Sequence, residues 1–471
     1  MATPTVPTGR GDGSDNGSGV HLRRVLGTGS ILLFGLAYML PLAVFTTYGV
    51  VTVTTGGHLA GAYLVTTVAM LFTAYSYANL SRVYPLAGSA YTYTRRNFGG
   101  HLGFLAGWAL LLDYLFLPLL NYLVIGIYLN AQFPAVPAWV WVLAAAIVVT
   151  ALNVVGVNVV ANLNYVLVGA QFVFVVIFVA SCIHHLAGTA APINPLAPLF
   201  DSSTHLSAIA AGSAILCLAF LGFDAVSTLS EEAKEPTRSI PRAIMLTTLI
   251  GGVTFVVVAY AGGLVFPDWQ HFSSADAGTL DVMQRAGGAV LSALFTAAFI
   301  AGSFASAMTS QVSVARILYA MGRDEMLPRR VFGALHPRFQ TPYLNALLVG
   351  AVGLLALVIS LDTASSMISF GALIAFTFVN LAVIKHFLVD GRLRGAAAWL
   401  RYGLAPAVGF VLSLWLWTSL SRTTFVIGIC WLVVGLAYLA YLTRGFRQRP
   451  PELDFSEEAP VAPPASTEPA R

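Results

Sequence analysis

Two interrupted apolar stretches decide the fold. They read LLFGLAYMLPLAVFTTYG at residues 32–49 and CLAFLGFDAVSTLSEE at residues 217–232. Each is apolar enough to lie in a bilayer, and each carries a helix-breaking signal at its middle. In the first stretch, Pro41 lacks a backbone N–H and disfavours helical geometry in the residue before it. We therefore predict a break in the helix between Met39 and Leu42.

The second stretch carries Gly222 and an acidic residue, Asp224, at its middle. Asp is a favoured N-cap, so it is well suited to the start of a second half-helix. We predict a break here between Gly222 and Ala225.

The composition of the whole chain indicates a lipid environment. Of its 471 residues, 57% are hydrophobic and 9% are charged, and the mean hydropathy is +0.79. Because the bilayer core offers no water to backbone groups, such long continuous apolar runs must be helices. The sequence predicts an all-α membrane protein with twelve transmembrane helices, numbered as spans 1 to 12, near residues 29–55, 61–81, 101–129, 137–157, 163–184, 206–231, 242–265, 287–317, 343–361, 365–387, 400–420 and 424–444.

The distribution of positive charge orients these spans. If the N terminus is inside, all but two of the 24 Lys and Arg residues fall on the cytoplasmic side, the exceptions being Arg285 and Arg422. The positive-inside rule therefore predicts that both termini are cytoplasmic. Residues 1–21 and 446–471 have the composition of disordered tails, and the transmembrane domain is predicted over residues 22–445. The net charge of +4 reflects this orientation and does not indicate nucleic-acid binding.

The two broken spans occupy matching positions in two halves of the chain. Span 1 runs from inside to outside, whereas span 6 runs from outside to inside. Residues 29–185 and 206–388 are thus predicted to be inverted repeats, followed by two extra helices at residues 400–444. Paired interruptions of this kind indicate a substrate site at the midplane of a secondary transporter. Ordinary kinks, which are common in membrane helices, are the alternative.

An acidic residue in span 3 is the leading candidate for contact with substrate. Asp113 lies beside Tyr114 in an apolar run, where an unpaired charge costs at least a few kcal/mol. No Lys or Arg lies at comparable depth in the spans. Either the ammonium group of a substrate pairs with Asp113, or Asp113 is protonated and hydrogen-bonded to a neighbouring helix. Tyr114 could present its ring face or hydroxyl to the same cation, or serve only in packing.

Three further acids lie in span 6. Capping of the second half-helix is sufficient to explain Asp224, although it is compatible with substrate contact. Glu231 and Glu232 follow it by two helical turns on roughly the same face. They are predicted either to form an inner gate or second ammonium site, or to pair with nearby cytoplasmic cations.

Large apolar side chains flank both breaks. Tyr38, Met39 and Phe45 lie near the first break, and Phe220 and Phe223 near the second. They are candidates for the walls that contact the methylene chain of a substrate, and core packing is the alternative.

Several motifs resemble those of the amino acid, polyamine and organocation superfamily of transporters. The resemblance runs from about residue 22 to 445 and is strongest to the bacterial putrescine importers. It implies a five-plus-five inverted repeat with two extra helices, and import of a small organic cation such as putrescine across the bacterial inner membrane. The motifs are GLAYMLPLAVFTTYG (35–49), PLAGSAYTYT (85–94), GWALLLDYLFLP (107–118), FLGFDAVSTLSEE (220–232), LYAMGRD (318–324) and FGALIAFTFVNLAV (370–383).

One motif departs from the pattern of amino-acid carriers in this superfamily. Those carriers typically have a Gly-Ser-Gly turn in span 1 whose free N–H groups hold the carboxylate of the substrate. Here the same place reads Tyr38, Met39, Leu40 and Pro41. A site without these donors suits a substrate without a carboxylate, such as a diamine. An amino-acid permease of the same superfamily is the alternative.

The sequence carries no motif for a cofactor or for enzymatic chemistry. Its histidines are scattered, so no metal site is predicted, and no GxxxxGK[ST] motif indicates ATP hydrolysis. The predicted partners are the substrate and lipid, with the oligomeric state left open. Protons carried by the acids, or sodium held by span 1 carbonyls with Ser303 and Ser306, could couple to transport; proton coupling or potential-driven uptake is preferred.

Overall fold

A computed structural model describes residues 26–448 and 450, except 86–88, 156–159, 190–193, 203, 232, 324–326 and 337–340. The predicted tail residues 1–21 and most of 446–471 lie outside this set. Across the described residues the regular structure is helical, with one isolated β-bridge between Leu26 and Ala233. The all-α prediction is therefore confirmed for this part of the chain.

Helices coincide with every predicted span. Among the described residues, ten helical segments are long and apolar enough to cross a membrane. Two shorter apolar segments, Ala138–Val154 and Tyr343–Leu357, coincide with predicted spans 4 and 9. The α-helices are, in chain order, α1 (Thr28–Met39), α2 (Tyr48–Thr54), α3 (Leu59–Val83), α4 (Ser89–Phe98), α5 (Gly100–Gln132), α6 (Ala138–Val155), α7 (Val160–Ala187), α8 (Leu206–Leu216), α9 (Pro236–Val265), α10 (Gly278–Arg323), α11 (Arg329–Phe332), α12 (Tyr343–Gly353), α13 (Leu361–Ile384), α14 (Ala396–Trp399), α15 (Ala405–Thr418) and α16 (Arg422–Leu442).

The first break lies at Leu40. Helix α1 ends at Met39 because Leu40 adopts φ 54° and ψ 102°, and because Pro41 has no N–H with which to continue the helix. A 3₁₀ turn follows at Pro41–Phe45, and α2 begins shortly after it. The break is inside the predicted interval, so this prediction is confirmed.

The second break lies at the predicted residues as well. Helix α8 is followed by two 3₁₀ segments, Cys217–Phe220 and Ala225–Glu231, separated by a turn in which Gly222 has φ 129°. A positive φ of this kind is open to glycine and strained for other residues. The segment after the break is a 3₁₀ helix rather than an α-helix, with three residues per turn.

The two breaks lie against each other. A Cβ atom added to Gly222 would lie 2.8 Å from the backbone nitrogen of Met39 and 3.0 Å from the carbonyl oxygen of Gly35. The absence of a side chain at Gly222 therefore allows the second break to cross α1. Nearer the chain start, the N–H of Lys234 donates to the carbonyl of Leu26 at 2.9 Å.

Long helices surround this crossing. Helix α3 packs along α9, and α5 packs along α10 and α13. Helix α15 lies against α13 and α3, and α16 lies against α13 and α5. Trp108 of α5 and Trp431 of α16 each donate an indole N–H to the other's carbonyl at 2.9 Å. The breaks therefore lie at the centre of the packed helices, with α15 and α16 at the outside.

Candidate substrate-binding site

Asp113 lies in the middle third of α5, near a close contact of α5 with α13. A Cβ on Gly371 of α13 would overlap the carbonyl oxygen of Ala109, one turn before Asp113. Asp113 is only 2% exposed. Its Oδ1 atom has no hydrogen-bond partner in the described part of the chain. Burial of an unpaired carboxyl oxygen is costly, which makes Asp113 a candidate for contact with a cationic substrate.

Asp224 is buried too, but the backbone of its own break satisfies it. The N–H of Gly222 donates to Asp224 Oδ1 at 3.0 Å. The backbone N–H groups of Asp224 and Ala225 also hydrogen-bond its carboxyl group. The predicted capping role thus has a different geometry, because the side chain turns back to the donors of the turn itself.

The two carboxyl groups and three tyrosines form one polar cluster. Asp113 and Asp224 are close enough to interact electrostatically, and Tyr38 and Tyr114 are near both. Tyr77 of α3 is near Asp224. Neither carboxyl group forms an ion pair with a described Lys, Arg or His side chain; the ion pairs formed there are at other places in the molecule. The cluster therefore holds two acids and phenolic hydroxyls without a resident cation.

Phe223 closes one side of this cluster. Its ring centroid is 5.5 Å from that of Tyr77 and 5.2 Å from that of Phe376 on α13. Phe223 and Phe376 are fully buried. These rings form an apolar wall next to Asp224. Such a wall is what the predicted contact of Phe223 with the methylene groups of a substrate requires.

Met39 and Phe220 contact a different partner, helix α9. The sulfur atom of Met39 lies at the position where a Cβ on Gly251 would be. Phe220 packs edge-on against Phe255 with centroids 5.4 Å apart. Their side chains therefore pack against α9 rather than against the aromatic wall.

Phe45 belongs to another aromatic group. Its ring packs edge-on against Phe178 and Phe295, with centroids 5.3 Å and 5.1 Å away. Its carbonyl oxygen accepts hydrogen bonds from Tyr128 at 2.7 Å and Thr279 at 3.0 Å. Among the predicted candidates, the structure thus brings together Tyr38, Asp113, Tyr114, Phe223 and Asp224.

Glu231 and Glu232 cannot be assigned to the site from their spacing. Glu232 lies outside the described residues, and for Glu231 only the backbone is described. The prediction that both share a face with Asp224 assumed an α-helix. The backbone of Ala225–Glu231 is a 3₁₀ helix, and the proposed roles of Glu231 and Glu232 stay predictions.

Gln171 of α7 is a residue that the sequence analysis did not identify. It is 4% exposed, and its Oε1 accepts the N–H of Leu42 at 3.2 Å. The available signal for Gln171 was an amide side chain inside an apolar span. Tyr77, in the polar end of span 2, was not identified either. Gln171 thereby supplies an acceptor to the first break, where Pro41 interrupts the normal helical pattern.

The backbone donors of the first break are all engaged. The N–H of Leu40 donates to the carbonyl of Leu36, and that of Ala43 donates to Leu40. Leu42 donates to Gln171, and Pro41 has no N–H. The break therefore presents no row of free donors to a carboxylate.

The comparisons with known proteins agree with this architecture. A sequence model described as "Amino acid permease" matches residues 30–448. The chain belongs to the amino acid permease family. This permease is 40% identical over 448 residues to the low-affinity putrescine importer PlaP of Escherichia coli, covering 93% of this chain and 98% of the relative.

More distant relatives transport other small molecules according to their names. The branched-chain amino acid permease BcaP of Bacillus subtilis is 26% identical, covering 89% of this chain and 93% of the relative. The methylthioribose transporter of the same organism is 27% identical, covering 89% and 94%. This permease is therefore a multi-pass membrane transporter of the amino-acid and polyamine type, and not an enzyme.

Proposed function

We propose that this permease imports a small aliphatic diamine such as putrescine across the bacterial inner membrane, by alternating access to the cluster between the two breaks. The observation that carries the proposal is Asp113, whose buried Oδ1 has no partner among the described residues. An ammonium group supplies both the missing charge and the missing hydrogen bonds. Similarity to a putrescine importer supports the same substrate class.

The state of the backbone donors argues against a substrate with a carboxylate. The N–H groups of Leu40, Leu42 and Ala43 all donate within the protein. Those of Gly222 and Asp224 are used by the Asp224 carboxyl group. An amino acid would have to displace these bonds to bind its carboxylate, whereas a diamine would not.

Paired helix contacts support the twelve-span, five-plus-five inverted repeat. If spans 1–5 and 6–10 are equivalent, α3 corresponds to α9, α5 to α10 and α6 to α12. Each of these pairs is in contact. The contact of α1 with α9 is matched by that of α8 with α3, and the contact of α5 with α13 by that of α10 with α7. An approximate twofold relation of the two halves accounts for this pattern.

We also propose potential-driven uptake, with or without a proton, in preference to sodium coupling. Of the groups predicted to hold sodium, the Ser306 hydroxyl accepts a hydrogen bond from Asn121 at 3.1 Å. The Phe45 carbonyl in span 1 already accepts two hydrogen bonds. These ligands are therefore engaged with protein donors.

Competition in reconstituted liposomes tests the proposal. Uptake of labelled putrescine should be abolished by excess unlabelled putrescine and little affected by the same concentration of leucine or glutamate. If the protein binds leucine at concentrations at which it does not bind putrescine, the amino-acid permease alternative is established instead.

A further inference from the structure

We propose that Asp113 alone anchors the substrate by an ion pair, so that the site recognises one ammonium group and an aliphatic chain. Primary alkyl monoamines of the same chain length should then bind nearly as well as diamines. This inference rests on the proposed function and specifies which group of the same site gives it its selectivity.

The first step is that the two acids differ in their available acceptor sites. An ionised carboxylate has about four lone-pair sites for hydrogen bonds. In Asp224, the backbone N–H groups of Gly222, Asp224 and Ala225 already donate to the carboxyl group. Little acceptor capacity remains there for an ammonium group, which carries three donors.

The second step is that the hydrogen bonds of Asp224 hold the turn together. Gly222 is the residue with φ 129° at the crossing of the two breaks. The carbonyl of Asp224 also accepts the Ser227 hydroxyl at 2.6 Å and the Ser227 N–H at 3.0 Å. Asp224 is therefore a positioning residue that fixes the second break, and an ammonium group would compete with the turn for it.

The third step is that Asp113 has the opposite environment. It lies on a regular helix that needs no side-chain cap, and its Oδ1 is buried without a partner in the described structure. An ammonium group that binds here breaks no existing hydrogen bond at this atom. An ion pair with the ammonium group therefore contributes its full free energy to binding at Asp113. At Asp224 the lost hydrogen bonds of the turn would offset much of that free energy.

The fourth step concerns the far end of the substrate. Among the described side chains, the other groups of the cluster are the phenols Tyr38 and Tyr114 and the rings of Tyr77 and Phe223. Phenols and rings accept a second ammonium group, but they are also compatible with a methyl group. Replacement of the second ammonium by a methyl group should therefore cost much less than replacement of the first.

Competition on the purified wild-type protein tests this inference. n-Butylamine has the four-carbon chain of putrescine and one amine, and butane-1,4-diol has the same chain and none. At pH 7, n-butylamine should displace labelled putrescine with an inhibition constant within about tenfold of that of unlabelled putrescine. Butane-1,4-diol should not compete. Asp224→Asn, which keeps the Oδ1 acceptor for Gly222, should weaken putrescine less than Asp113→Asn does.

The results that overturn the inference differ from those that overturn the proposed function. If n-butylamine is weaker than putrescine by 30-fold or more, the range for loss of a buried charge pair, both ammonium groups are anchored. An Asp224→Asn variant that keeps the wild-type melting temperature and is as weak as Asp113→Asn would lead to the same conclusion, and putrescine import would stand. If wild-type protein binds leucine and neither amine, the proposed function is wrong and the inference fails with it.

Discussion

Gly222 has neither the space nor the backbone conformation for a side chain. Its φ is 129°, and a Cβ would lie 2.8 Å from the nitrogen of Met39. We expect Gly222→Ala to reduce the free energy of unfolding by about 1–3 kcal/mol through backbone strain and overpacking. The measurement is the melting temperature of the detergent-purified variant, together with its putrescine affinity, which should fall because the break moves.

Gly169→Ala is the matched control for that substitution. Gly169 lies in α7, and a Cβ added to it would have no heavy atom within 4 Å. Because Ala is a better helix former than Gly, this variant should be unchanged or slightly more stable. Equal melting temperatures for the two variants would show that the breaks do not cross as closely as described.

The sequence was sufficient to identify single residues that interrupt an apolar run. It did not show in which direction their side chains point. Asp113 is identifiable because it is an acid in an apolar run with no Lys or Arg at the same depth. The direction of the Asp224 side chain depends on the geometry of its turn, since its donors come from Gly222 and Ala225. Phe220 and Phe223 are both close to the second break in the sequence, so their positions did not distinguish them. Phe223 lies beside Asp224, whereas Phe220 faces α9.

At the scale of elements, the first broken helix depends on a side chain from another helix. The Leu42 N–H, freed by the break, donates to Gln171 of α7. Gln171→Leu removes this acceptor and leaves a buried donor unpaired, at a cost of about 1–3 kcal/mol. We expect a lower melting temperature and slower putrescine uptake.

Thr254→Val provides a control of similar chemistry on α9. The Thr254 hydroxyl donates only to the carbonyl of Ile250 in its own helix, and its replacement leaves no N–H group unpaired. The free energy of unfolding of this variant should stay within about 1 kcal/mol of the wild-type value. Its melting temperature should therefore be close to that of the wild type. If Gln171→Leu behaves like Thr254→Val, the bond to Leu42 does not hold the break.

The positions of the breaks were predictable from Pro41 and from the Gly222 and Asp224 pair, because these residues act locally on the backbone. The helix type after the second break was not predictable. Apolar residues continue through residues 225–231, and the 3₁₀ geometry there is imposed by packing rather than by composition. The role predicted for Glu231 stays a prediction.

At the scale of the whole molecule, import of a dication moves charge through the membrane field. The potential is worth about 2.3 kcal/mol per charge per 100 mV, hence roughly 4.6 kcal/mol for a doubly charged amine. Putrescine accumulation in proteoliposomes should therefore increase when valinomycin and a potassium gradient set the inside negative. Accumulation that is independent of the clamped potential would show that a counter-charge moves with the substrate or that the substrate is not a dication.

Composition and the lengths of the apolar runs were sufficient to predict the helical class and the helices that coincide with the predicted spans, whereas α4, which lies between spans 2 and 3, was not predicted. These properties do not show which helices pack against each other. Contacts such as that between Gly371 and Ala109, or the paired indoles of Trp108 and Trp431, bring together residues that are distant in sequence.

The central claim is that the buried carboxylate of Asp113 binds the ammonium group of the substrate. Asp113→Asn is nearly isosteric and removes only the charge. Labelled-putrescine binding and the melting temperature, measured on the same purified variant, test the claim most directly. The account predicts that affinity falls by roughly 30-fold to several thousand-fold, the equivalent of about 2–5 kcal/mol, while the melting temperature without ligand does not fall. Unchanged affinity with a lowered melting temperature would contradict it, because Asp113 would then be a protonated hydrogen-bonding group between helices.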